Sequence, residues 1–135
     1  MLVVLDANVL ISALINPAGI AGRVVLAGIE GRYDFAVCPM LLAELEDISK
    51  RPRIARLVPV GVAEKLFADV RGAARIEPDP DVLPISRDPR DDYLVALASA
   101  VGADHLVTGD ADLLDIVEPP VTITNLRTFA DILNL

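Results

Sequence analysis

Four acids in this chain sit where apolar segments begin, end or turn a face inward. Asp6 closes the apolar run Leu2 to Leu5, and Asp110 closes the run His105 to Thr108 just after Gly109. Glu44 falls at i+3 inside the helical stripe Leu41, Leu45, Ile48 (i, i+4, i+7), while Glu46 and Asp47 lie outside it. Asp92 leads into the apolar run from Tyr93 to Val101, where only Ser99 is polar. Four negative charges gathered in one cleft repel strongly unless protons or cations neutralise them. The apolar segments that carry these acids contain no Lys or Arg, so a hard divalent cation is the natural partner. Oxygen-only ligation favours Mg2+ or Mn2+. Such a site can activate water and brace the leaving oxygen of a phosphodiester, with one ion or with two about 3.5–4 Å apart. No protein nucleophile is required, in keeping with a chain that has one histidine, His105, one cysteine, Cys38, and no Ser/His or Cys/His arrangement.

The neighbouring Asp91 competes with Asp92 for the cleft. Consecutive side chains on a helix point about 100° apart, so only one of the two faces inward. Asp91 already has a structural role, because Asp88 caps, Pro89 suits the first helical turn, and Asp91 falls three residues after the cap. Asp92 is therefore the preferred site acid.

Strands and helices must alternate to bring these acids together. The pattern predicts strands ending at Asp6, Val37, Glu77, Thr108 and Thr124, with helices after Asn8, over Ile20 to Ile29, from Pro39 to about Lys50 and stopped near Pro52, a short one beyond Arg53, over Val62 to Ala73, and from Pro89 to a stop at Gly102. A short helix over Ala111 to Leu114 and a last strand over Val121 to Thr124 follow, and Thr128 is expected to cap the closing helix. This alternation predicts an α/β fold, a three-layer sandwich around a mostly parallel sheet of about five strands, in one domain spanning residues 1–135. Ligands of such sheets gather beyond the carboxyl ends of the strands where the strand order reverses, which is where Asp6 and Asp110 fall.

Composition narrows the partners. Twelve basic residues against twenty acidic ones give a formal charge of −8, which taken alone opposes nucleic-acid binding. Lys50, Arg51, Arg53 and Arg56 nevertheless crowd into seven residues, either as a cationic ridge or as a solvated turn between helices. No apolar run approaches the roughly 20 residues of a membrane span, and Asp6 interrupts the N-terminus too early for a secretory signal, so a cytoplasmic location is expected. The single cysteine excludes an internal disulfide, and with one histidine it excludes the usual structural zinc sites.

Taken together, D-A-N at Asp6 to Asn8, L-L-A-E-L around Glu44, D-D-Y-L-V-A-L-A from Asp91 to Ala98 and V-T-G-D at Val107 to Asp110 resemble the PIN domains. The order and spacing carry the resemblance, which extends over most of the chain. It implies a metal-dependent endoribonuclease using Mg2+ or Mn2+, with Asp6, Glu44, Asp92 and Asp110 as catalytic acids and metal ligands. Asn8 and Thr108 would support the carboxylates through hydrogen bonds, and Asp112 matches a less constant acidic position. Within the family the chain looks like the VapC-like toxins of type II toxin–antitoxin pairs, especially a subgroup with R-D-P-x-D-D before its helix. That resemblance implies a homodimer and a cognate antitoxin protein as partner, with RNA as substrate. Its V-T-G-D ends in Gly-Asp where many such toxins have Arg-Asp. Lys50, Arg51, Arg53 and Arg56 are the candidates for steering an RNA backbone. With five aromatic residues in the chain, stacking on unpaired bases contributes little to recognition.

Two other classes fit less well. A phospho-acceptor receiver domain wants a lysine after a late strand, and the only lysines are Lys50 and Lys65; a phosphatase with an aspartate nucleophile wants a second Asp where Asn8 stands. A PIN-fold binding module without nuclease activity keeps the same four acids and is separated from the enzyme only by assay.

Overall fold

The computed structural model describes residues 1–81 and 92–135, with Asp92 described in its backbone alone. Asp88, Pro89 and Asp91, and with them the expected helix cap, lie outside the described residues.

The chain runs β1 (Leu2–Leu5), α1 (Ala7–Ile15), α2 (Ile20–Ile29), β2 (Asp34–Val37), α3 (Pro39–Lys50), α4 (Pro52–Ala55), α5 (Val62–Ala73), β3 (Arg75–Ile76), α6 (Asp92–Ala100), β4 (His105–Thr108), α7 (Ala111–Leu114), β5 (Ile123–Asn125) and α8 (Leu126–Ile132). The strands form one sheet in the order β3-β2-β1-β4-β5, and every pairing is parallel. Parallel strands buried on both faces read as unbroken apolar runs, and Val3, Val4, Leu106 and Val107 are completely buried in the two central strands. The edge strand β3 carries no such burden, and both of its residues are exposed.

Helices cover both faces. On one, α1 packs on α2, α3 and α5, and α2 on α5 and α8; α6 packs separately on β1 and β4. That division follows from right-handed crossovers, since the chain moves to one side of β1 through α1 to α5 and to the other side through α6. The sandwich is the one expected from the alternating pattern. On α6, Tyr93, Leu94, Val95, Leu97 and Ala98 are buried, as its apolar length requires. Among the described residues no single helix is long and apolar enough to cross a membrane.

Three local expectations are corrected. Pro52 does more than stop α3, because it opens α4 at the first helical position, where its missing N–H is no loss. The last strand covers Ile123–Asn125 rather than Val121 to Thr124. The cap of α8 is Asn125, whose Oδ1 accepts the Thr128 N–H at 2.8 Å; Thr128 supplies the orphan donor instead of satisfying it.

Candidate metal centre

Asp6 and Asp110 arrive at one edge of the sheet because β1 and β4 are parallel neighbours, with Leu5 opposite Val107. The strand order reverses between them: β2 and β3 extend to one side of β1, β4 and β5 to the other. A crevice beyond the carboxyl ends is expected at such a point.

Asp6 is 3% exposed. It caps α1 with Oδ1, which accepts the Asn8 N–H at 3.1 Å, while Oδ2 accepts the Thr108 hydroxyl at 2.7 Å. The fully buried Thr108 hydroxyl accepts the Asp110 N–H at 2.9 Å. Asp110 in turn caps α7, its Oδ1 accepting the Asp112 N–H at 2.8 Å. One continuous hydrogen-bond path therefore joins the ends of β1 and β4 and fixes both carboxylates against their own backbone. Asn8 supports Asp6 through its backbone N–H, and its side chain is exposed. Burial lifts the Asp6 carboxyl above its ordinary range; the bonds from Thr108 and Asn8 pull it down, and the charge of Asp110 pushes it up.

Glu44 enters from α3, which starts at Pro39 and is tied at its N-terminus by Asp79, whose Oδ1 accepts the Met40 N–H at 2.8 Å. The half-buried Glu44 carboxylate accepts a hydrogen bond at Oε2 from the Tyr93 hydroxyl on α6. Tyr93 is 5% exposed, and burial drives its phenol well above its ordinary range, with Glu44, then Cys38 and Asp6, adding to the rise. The influence of Asp6 on this hydroxyl puts the Glu44–Tyr93 pair and the Asp6–Thr108–Asp110 path in one electrostatic neighbourhood. Sequence reasoning assigned Tyr93 no role. The available signal was that a buried tyrosine hydroxyl must find a partner, and this one follows Asp92 directly.

Among the described residues, no three His, Cys, Asp or Glu side chains close around a single point as a preformed cage would. The donor set still suits a hard cation. No Lys or Arg pairs with Asp6, Glu44 or Asp110 among the described residues, and Mg2+ characteristically keeps several waters and takes only one or two carboxylates. Asp92 opens α6 one position before Tyr93, and its side chain lies outside the described residues, as Asp91 does altogether.

The basic run is separate from this path. Lys50 ends α3, six residues and about 9 Å along the axis from Glu44. Lys50, Arg51, Arg53 and Arg56 are all exposed; Arg51 meets Asp47 at 3.1 Å, and Arg56 Nε donates to the Pro52 carbonyl.

Two solved structures share this architecture. PAE2754 from Pyrobaculum aerophilum is 21% identical with a TM-score of 0.67, the match covering 98% of this chain and 88% of that one. VapBC2 from Rickettsia felis, solved bound to a DNA fragment from their promoter, is 18% identical with a TM-score of 0.61, covering 93% of this chain and 98% of that one. No curated protein sequence matches significantly. The sequence pattern that describes the PIN domain matches residues 2–112, a span that holds β1 through the start of α7 and all four acids. The chain belongs to the PIN domain family.

Proposed function

We propose that this protein is a divalent-metal-dependent endoribonuclease and the toxin of a toxin–antitoxin pair, with Asp6, Glu44, Asp92 and Asp110 as its catalytic acids. The observation that carries the reading is the buried Asp6 carboxylate, held by Thr108 and Asn8 and pushed toward protonation by burial and by Asp110, with no basic residue to neutralise it among the described residues. A buried acid kept in that state is costly for folding and suits a site that a cation completes. Asp6 and Asp110, with Glu44 and Asp92, would hold Mg2+ or Mn2+. When bound, such an ion supplies charge neutralisation at the phosphodiester and activation of the attacking water. The chain's own contribution is orientation: Thr108 links the Asp6 carboxylate to the Asp110 backbone N–H, and Asp110 and Asp6 each lock one oxygen on a helix N-terminus.

RNA is the proposed substrate, approached along Lys50, Arg51, Arg53 and Arg56. The proposed partners are an antitoxin protein and a second copy of the chain, in line with the fold shared with VapBC2 and with the VapC-like motifs. In the test, purified protein is incubated with single-stranded RNA, structured RNA and DNA, each with Mn2+, Mg2+ or a chelator. Cleavage of RNA that requires the ion and disappears in Asp6→Asn is expected; ion-independent cleavage, or cleavage that survives Asp6→Asn, refutes the reading.

A further inference from the structure

The Glu44 helix, α3, and the Asp92 helix, α6, come from different parts of the chain. A polar tie spans them. The Tyr93 hydroxyl donates to Glu44 Oε2, while the residue itself is 5% exposed and belongs to the hydrophobic core. Glu44 has no ion-pair partner among the described residues, so this bond decides which way its carboxylate points. The ring is anchored by packing, and its position in sequence directly follows Asp92. Any shift of α6 that moves Asp92 therefore moves the group that holds Glu44.

We propose that Tyr93 is a positioning residue that ties the Glu44 carboxylate to α6 and sets its orientation toward the cation. This rests on the metal reading above. The hydroxyl occupies one Glu44 oxygen and leaves the other for the ion. It acts through Glu44 and has no contact with substrate to make. Outer hydrogen-bond partners of this kind typically govern 10–100-fold in metal affinity.

The experiment is a calorimetric titration of the full chain with Mn2+ alone, without RNA, on wild type, Tyr93→Phe, Glu44→Gln and the double variant. Tyr93→Phe keeps the ring and is expected to weaken Mn2+ binding about 10-fold or more, with cleavage recovered at saturating Mn2+. In the Glu44→Gln background the same change is expected to have no further effect, because the group it positions is gone. Unchanged Mn2+ affinity in Tyr93→Phe, or an equal loss in both backgrounds, overturns the proposal. Wild type that binds Mn2+ but cleaves no RNA defeats the nuclease reading and leaves this one standing; wild type that binds no Mn2+ defeats both. A second measurement is independent of the Phe variant's folding. Mn2+ added to the wild type should perturb the tyrosine absorption spectrum, Tyr33→Phe should keep that change and Glu44→Gln should abolish it. Absence of the change in wild type also overturns the proposal.

Discussion

A carboxylate at the end of a central strand is held under cover by three neighbouring groups, the Asn8 N–H, the Thr108 hydroxyl and, through Thr108, the Asp110 N–H. Asp6 is charged at neutral pH only at the expense of folding, since burial raises its pKa above the ordinary 3.8. The sign follows directly. A group whose folded pKa is raised favours the folded state below its unfolded value, and that contribution is lost as pH rises through the folded value. Asp6→Asn is nearly isosteric and removes the buried charge, so the metal-free variant should melt about 2–6 °C above wild type at neutral pH. The gain should shrink as pH falls and vanish below 3.8, where the wild-type carboxyl is neutral as well. Thermal denaturation in chelator across that range checks both the sign and the pH dependence. At this scale the sequence was informative about the acids and, through the resemblance, about Asn8 and Thr108, and silent about Tyr93. Asp6, Glu44 and Asp110 stood out because carboxylates beside apolar runs need an explanation, whereas the Glu44–Tyr93 bond joins residues 49 positions apart. Local patterning cannot encode that distance.

Elements are positioned by punctuation. The bounds of α2, α3, α5 and β4 coincide with those expected from the sequence, because hard stops frame several of them: Gly31 at φ 85° after α2, Pro39 at the start of α3, Gly102 at φ 67° between α6 and β4. The closing helix was misread because Asn125 and Thr128 both make good caps and stand three residues apart, and the tail of β5 absorbs Asn125. What no pattern reveals is how closely α1 and α2 approach. A Cβ on Gly22 would stand 2.0 Å from the Pro17 carbonyl oxygen. Gly22→Ala must therefore open the α1–α2 corner at the C-terminal end of α1. A loss of about 1–3 kcal/mol in chemical denaturation is expected, despite alanine's better helix propensity. A neutral or stabilising result would mean that this corner is looser than its packing indicates.

Across the whole molecule, charge and topology pull in different directions. A net charge of −8 discourages a polyanion from most of the surface, which is why the RNA path proposed above follows the exposed run Lys50, Arg51, Arg53 and Arg56. Arg51 already meets Asp47, an exposed pair of little energetic weight that it can exchange for a phosphate. Reversing Lys50 and Arg53 to Glu should weaken single-stranded RNA binding by about tenfold or more. It should also flatten the salt dependence by about 1.4 in log–log slope, at roughly 0.7 per phosphate contact. An unchanged slope in a filter-binding titration would move the RNA path off this ridge. Topology supplies what charge does not, because the reversal of strand order between β1 and β4 gathers acids more than a hundred residues apart. The cation proposed for these acids can be looked for by diffraction. In a crystal grown with Mn2+, anomalous scattering should give a peak among the carboxylates of Asp6, Glu44, Asp92 and Asp110, absent from Asp6→Asn crystals grown the same way. A peak elsewhere, or none at saturating Mn2+, contradicts a cation-completed site.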